Sequence, residues 1–242
     1  MKKSIVRLEK GLKNLDIEMK ENQIEQMMKF HDHLFSKNKV MNLTSITEWE
    51  EVVQKHFLDS LALVKAVNVK KIQSLIDVGT GAGFPGIPLK IAFPHLKITL
   101  MDSLNKRIKF LQEVIDICSL EQIEVIHDRA EDLAKKEGYR EQFDICVSRA
   151  VANLSVLSEY CVPFIKIGGT FVSYKSGSAD EEIKNAKKAV KILGGKVTKV
   201  EKFTLPDSDI TRALVIIEKV KSCGKNYPRK PALIKEKPLG MI

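Results

Sequence analysis

The stretch SLIDVGTGAGFPGIP, residues 74–88, decides the fold. A short apolar run, Ser74–Val78, gives way to glycines at 79, 81, 83 and 86, and an apolar segment of helical length, 86–93, follows. Strand, glycine turn and helix in that order form the unit at which an open α/β sheet takes its ligand. Glycines there let the backbone approach a bound molecule and leave helix N-terminal N–H groups free.

Downstream of this unit the pattern repeats. Strands are predicted at 96–102, 122–127, 143–148 and 169–175, with helices at 104–118, 129–136, 153–161 and 179–193. Short apolar strands alternating with helices specify βαβ units and a parallel sheet covered on both faces. Two further strands, 196–204 and 210–219, are joined only by Pro206-Asp207-Ser208-Asp209, too short for a crossover helix, so they must pair antiparallel. Upstream, helices are predicted at 3–14 and at 22–36, where Ile24, Met27, Met28, His31, Leu34 and Phe35 recur at helical spacing. A third is predicted to start at Thr47, with Thr47 and Glu50 as a capping box and Val52, Val53, Phe57, Leu61, Val64 and Val67 on its apolar face. A polar connector, 38–46, separates the second and third. The expected organisation is a helical extension (1–70), an α/β domain (71–220) and a basic, Pro-bearing, loosely held tail (221–242).

Charge follows these divisions. The chain of 242 residues carries +9. Residues 1–40 hold nine Lys/Arg against six Asp/Glu, residues 219–242 seven against one, and residues 41–218 twenty-four of each. The excess positive charge therefore sits on the two ends, where it would attract a polyanion. No apolar stretch approaches the ~20 residues of a membrane-spanning helix, and the N-terminus lacks the apolar core of a signal peptide. Cys118, Cys146, Cys161 and Cys223 have neither CxxC nor metal-ligand spacing, and His31 and His33 point in different directions on a helix. Reduced core thiols, no metal and a cytoplasmic address are expected.

Two frames fit the glycines. Gly81, Gly83 and Gly86 read as the G-x-G-x-x-G of dinucleotide-binding folds. Asp77, Gly79, Gly81 and Gly83 read as D-x-G-x-G-x-G, which resembles the first motif of S-adenosylmethionine-dependent methyltransferases. Both want an acid at the end of the second strand for ribose hydroxyls, and Asp102 serves either. Three features favour the second frame. Asp77 suits a cationic sulfonium but would repel a pyrophosphate. The closing antiparallel pair matches the seven-stranded methyltransferase sheet. After the third strand, His127-Asp128-Arg129-Ala130-Glu131 supplies acids and N–H groups where such enzymes hold adenine. A non-catalytic ribosome-binding module with a vestigial site is a third reading.

Together with NLT (42–44), KHFLDSL (55–61), DSLNKRIKFL (102–111) and SRA (148–150), the 77–88 stretch resembles the bacterial glucose-inhibited division protein B family, also called ribosomal small subunit methyltransferase G. That resemblance implies a Rossmann-like class I methyltransferase sheet and methylation of N7 of a guanine in 16S ribosomal RNA, with S-adenosyl-L-methionine as methyl donor. The substrate is expected in the small ribosomal subunit or its assembly intermediates. The resemblance places Gly79 and Phe84 on the cofactor from the first loop, Ala130 and Glu131 beside its adenine, and Arg149 near the transferred methyl. The full cofactor set expected is Asp77, Gly79, Thr80, Gly81, Gly83, Phe84, Asp102, Ser103, Ala130, Glu131 and Arg149.

The residues are consistent with that chemistry. The place after the fourth strand reads Ser148-Arg149-Ala150-Val151, not the Asn/Asp-Pro-Pro-Tyr of exocyclic-amine methyltransferases. Cys146 and Cys161 sit where core residues are expected, so no cysteine nucleophile is assigned. Guanine N7 has an in-plane lone pair and no proton to remove, so neither a base nor a nucleophile is required. An Arg or Lys can orient the base through O6. Arg149 is the expected catalytic residue, and Lys175, ending the adjacent strand, is a candidate for the same edge. Asn42, His56, Arg107 and Arg229 complete the set expected to face RNA, with Thr44 and Asp59 beside His56.

Overall fold

The computed structural model describes residues 2–150 and 152–240; Val151 lies outside them. Seven strands form one sheet in the order β3-β2-β1-β4-β5-β7-β6. They are β1 (Ser74–Val78), β2 (Lys97–Asp102), β3 (Ile123–His127), β4 (Phe143–Ser148), β5 (Ile165–Ser176), β6 (Gly195–Thr204) and β7 (Thr211–Lys219). The first five are parallel, while β7 inserts antiparallel between β5 and β6. The chain winds outward from β1 to β3 and then returns to β4 on the other side of β1. Ligand sites of open α/β sheets sit at such a reversal, beyond the strand C-termini.

The helices are α1 (Lys2–Asn14), α2 (Glu21–Met41), α3 (Trp49–Val52), α4 (Asp59–Leu61), α5 (Gly86–Ala92), α6 (Asn105–Ile117), α7 (Ala130–Leu133), α8 (Leu154–Cys161), α9 (Asp180–Ile192) and α10 (Pro231–Glu236). Between α3 and α4 the helix runs on through a π-helical turn, Val53–Leu58. The period-2 alternation of the strands divides the apolar residues between two cores. Leu75, Val172, Tyr174, Leu214 and Ile216 face one cluster, together with Leu8, Leu12, Phe30 and Phe57 of the N-terminal helices. Ile76, Val78, Phe171, Val215 and Ile217 face the other, which takes in α8, α9 and Cys223 of the tail. All four cysteines are buried and unpaired. Among the described residues no helix is long and apolar enough to cross a membrane.

Three expectations need correction. The second helix continues to Met41 through the predicted connector and stops where Asn42 turns left-handed at φ 49°, a conformation Asn tolerates. The third starts at Trp49, not Thr47, and Glu48 provides no side-chain cap. Tertiary packing sets that start: the Trp49 indole stands edge-on to His31 and Phe57, at 4.7 and 6.0 Å between ring centroids. The C-terminal tail is docked rather than loose. Arg140 donates to the carbonyls of Cys223, Gly224 and Tyr227, Ile234 is fully buried, and Arg229 turns inward onto Glu159.

Candidate active site

Two clefts open at the C-terminal edge of the sheet, one on each side of the Ser148-Arg149-Ala150 turn. The first, about 580 Å³, lies over β1, β2 and β3 and is lined by Gly79, Asp102, Ser103, Ala130 and Glu131 among others. Gly79 and Gly81 take φ values of +73° and +62°, and a Cβ built at either meets nothing within 4 Å. Here glycine supplies a left-handed turn whose outer surface is open to a ligand.

The loop is held from beneath by Asp77, which is wholly buried. Its Oδ2 accepts from Thr80 Oγ1 at 2.7 Å and from the Gly86 N–H at 2.8 Å, while Oδ1 has no partner. Burial pushes the Asp77 carboxyl up to about 6, against the pull of those two hydrogen bonds. A side chain at 86 would crowd the carboxylate, since a Cβ there would lie 2.9 Å from Oδ2 and 2.2 Å from Leu100. At the end of β2, Asp102 accepts from the N–H groups of Gly81 and Leu104, both at 3.0 Å, and from Arg107 at 3.1 Å.

The second cleft, about 490 Å³, is lined by Lys55, His56, Asp59, Arg149, Lys175 and Arg212 among others, and Ala150 borders both clefts. Arg149 organises it. One Nη donates to Asp59 Oδ2 and to the Lys55 carbonyl, both at 3.1 Å, and the other to His56 Nδ1 at 3.1 Å. An arginine can only donate, so Nδ1 of His56 accepts from Arg149 in the tautomer with the ring proton on Nε2, which faces Thr44 Oγ1 at 3.0 Å. In the other tautomer Nδ1 donates to the Lys55 carbonyl, also 3.1 Å away. Burial, reinforced by the Arg149 charge, lowers His56 to about 3, so the imidazole is neutral near pH 7. Both groups rest on Phe84: the His56 ring stacks at 4.4 Å and the Arg149 guanidinium lies 5.1 Å from the centroid.

Asp59, 2% exposed, also accepts from Arg212 Nε at 3.2 Å and so lies between two guanidinium groups. Sequence reasoning missed Arg212. Its signal was the antiparallel closing pair: β7 runs opposite to β5, so its first residues reach the ligand edge, where Ser176 pairs with Arg212. The π turn is a second feature with no local signature. It presents the Lys55 carbonyl to Arg149, while Ser60 Oγ donates to the His56 carbonyl and Tyr174 OH to that of Ser60. π-Helical turns recur at functional sites.

The expected residues therefore separate. Gly79, Asp102, Ser103, Ala130 and Glu131 share the first cleft; Arg149, His56 and Lys175 share the second. Asp77 and Thr80 lie under the loop that Gly81 and Gly83 turn. Phe84 is not among the residues lining the first cleft: its ring is 5% exposed and packs against His56 and Phe30. Lys175 is buried and donates to the Ala152 carbonyl and to Glu182, fixing the chain after β4. Asn42 is exposed and ends α2. Arg107 is paired with Asp102, and Arg229 is committed to Glu159; neither arginine lines the second cleft.

A seven-stranded sheet of this order, a glycine turn after β1, an acid ending β2 and a second cleft beside β4 define a class I methyltransferase. Solved structures bear out the fold. A mutant 16S rRNA (adenine(1408)-N(1))-methyltransferase from Catenulisporales acidiphilia superposes with TM-score 0.51 at 15% identity, covering 63% of this chain and 87% of its own. A precorrin-6y C5,15-methyltransferase from Geobacter metallireducens does so with TM-score 0.50 at 12%, covering 74% and 92%. Residues 23–213 match the family described as rRNA small subunit methyltransferase G. Curated relatives of that name are 50% identical in Alkaliphilus metalliredigens, over 96% of this chain and 97% of the relative, and 53% identical in Lachnoclostridium phytofermentans, over 90% of each. The chain belongs to this rRNA small subunit methyltransferase G family.

Proposed function

We propose that this protein transfers a methyl group to N7 of a guanine in 16S rRNA, with the cofactor in the Gly79–Asp102 cleft and the purine in the Arg149 cleft. Membership of the family makes it an rRNA methyltransferase that uses S-adenosyl-L-methionine. The observation that carries the finer reading is that the two clefts meet at Ala150, so a donor in one and an acceptor in the other approach across a single turn.

The first cleft fits the cofactor. Asp102 at the end of β2 suits a ribose diol, the open backbone at Gly79 suits a chain lying along it, and Glu131 adds negative charge favourable to a cation and adverse to a pyrophosphate. When bound, the cofactor supplies an electrophilic methyl on a positive sulfur. The chain's own residues orient the acceptor. Three of the five N–H groups of Arg149 are held by Asp59, Lys55 and His56, which leaves Nε–H and one Nη–H to meet guanine O6 while keeping the cation off N7. No residue has to remove a proton, and His56, already an acceptor for Arg149, is not offered one. The product purine is cationic, and Asp59, placed between Arg149 and Arg212, keeps the local charge from rising unopposed.

We assign residues 71–220 to cofactor binding and catalysis, and the extension 1–70 to the wall of the RNA cleft, to which Ile46, Lys55, His56 and Asp59 contribute. The substrate is placed in the cytoplasm, as the small subunit or an assembling particle. The test is mass mapping of 16S rRNA from cells with and without the gene, with chain scission at 7-methylguanine reporting the position. Methyl on any other atom, or none with purified enzyme and cofactor on small-subunit particles, overturns the reading.

A further inference from the structure

The family match ends at residue 213, yet the last helix reaches back to the first cleft: Pro231 and Lys235 of α10 line it beside Ala130, Glu131, Leu157 and Tyr160. We propose that the C-terminal segment is the outer wall of the cofactor site, closing on the adenosine end, so that tail docking and cofactor binding stabilise each other. This rests on the reading of that cleft as the cofactor site.

The segment is held in place by a built anchor rather than by incidental contact. Glu159, on α8 and wholly buried, accepts from Arg229 through Nε at 2.8 Å and Nη2 at 2.7 Å, and from the Arg229 backbone N–H at 2.8 Å. The remaining Nη2 proton meets the Lys237 carbonyl at 3.0 Å, which closes the segment into a loop around the arginine. A bidentate fork of this kind fixes direction as well as distance. It sits one helical turn or less from Leu157 and Tyr160, so the same helix that carries the anchor carries the wall. Ile234, fully buried, seats α10 from beneath, whereas Lys235 stays exposed at the rim. Pro231 opens the helix with its φ already restricted, so little further order is lost when a planar base packs against it.

A ligand that touches a segment only in its docked form must favour that form, and the docked form must favour the ligand by the same factor. The expected results are therefore paired. Calorimetry of the full-length protein with S-adenosyl-L-methionine gives the reference affinity. Lys235→Ala, which leaves the anchor intact, should weaken binding about threefold, and Arg229→Ala about tenfold. In the unsubstituted protein, saturating cofactor should slow tryptic cleavage at Lys221 and Lys225 by a similar factor. If Arg229→Ala melts cooperatively, loses its tail to trypsin faster, and still binds the cofactor as the full-length protein does, the tail is not a wall. Equal cleavage rates with and without cofactor refute the coupling without needing any variant. If the full-length protein binds no S-adenosyl-L-methionine, the assignment of the cleft itself falls, and this inference with it.

Discussion

Two arginine–carboxylate pairs, built from the same chemistry, do different work in this molecule. Arg229 and Glu159 form a closed pair: both carboxylate oxygens face one guanidinium, Glu159 is inaccessible, and the fork's other proton goes to a backbone carbonyl. Arg149 and Asp59 form an open one. Asp59 is shared with Arg212, Arg149 is shared with His56 and Lys55, and both arginines line a cleft. An exclusive pair fixes chain position; a shared pair fixes the direction of a side chain and leaves donors to spare.

Arg149→Ala separates the two most sharply. Methylation should fall by about two to three orders of magnitude, the cost of losing an oriented donor at a reacting group, while Asp59 keeps Arg212 and the melting temperature moves little. Single-turnover rates and thermal melts on the same sample decide it, and near-normal turnover would make Arg149 structural. Glu159→Ala should do the reverse to the fold, because it leaves the Arg229 guanidinium half-buried without its carboxylate. The expected loss is about 3 kcal/mol of stability, read by denaturant unfolding.

His56→Gln tests the neutral imidazole that the open pair depends on. His56 is lowered to about 3 when folded, so the unfolded chain, titrating near 6.5, binds a proton that the folded chain refuses. Stability from this group is therefore lost as pH falls from about 6.5 towards 3, with a limiting slope near 1.4 kcal/mol per pH unit. Asp77, raised to about 6 when folded, acts oppositely between about 4 and 6, where the folded chain holds the extra proton. His56→Gln should thus flatten the acid-side fall in melting temperature and expose the opposing trend from Asp77. An unchanged pH profile would mean that the imidazole is not held neutral. Arg107→Ala should have the smallest effect. Its charge is already paired with Asp102, so the salt dependence of RNA binding should change by less than the ~0.7–0.9 unit of one full phosphate contact.

What the sequence carried of this was local. Ser74–Val78 and Phe143–Ser148 are strands with the predicted ends, because each is a five- or six-residue apolar run with abrupt polar or glycine boundaries. β5 begins at Ile165, four residues before the predicted start at 169, and Gly168 is absorbed in the strand at φ +81°. The glycine loop and Asp102 announced one cleft. The second is assembled from Asp59, Arg149 and Arg212, which lie 90 and 153 residues from Asp59 along the chain, and no local pattern encodes such a meeting. The tail misled for a related reason: its Lys and Pro content resembles that of a solvated arm, while the contacts that dock it are distant in sequence, Arg229 finding its partner 70 positions earlier and Arg140 reaching forward to Cys223, Gly224 and Tyr227.

The π turn at Val53–Leu58 has a consequence for how this protein can vary. One of the acceptors that aims Arg149 is the carbonyl of Lys55, which every amino acid possesses, so replacing Lys55 leaves it in place. A scan of side chains passes over it. Removing one residue at 57 or 58 does not: each residue advances a helix by about 100°, so everything before the deletion turns relative to α4, and Lys55 and His56 swing off Phe84 and away from Arg149. At this corner the register of the chain matters as much as any side chain, and a change of length there is expected to be nearly silent in composition and to abolish turnover.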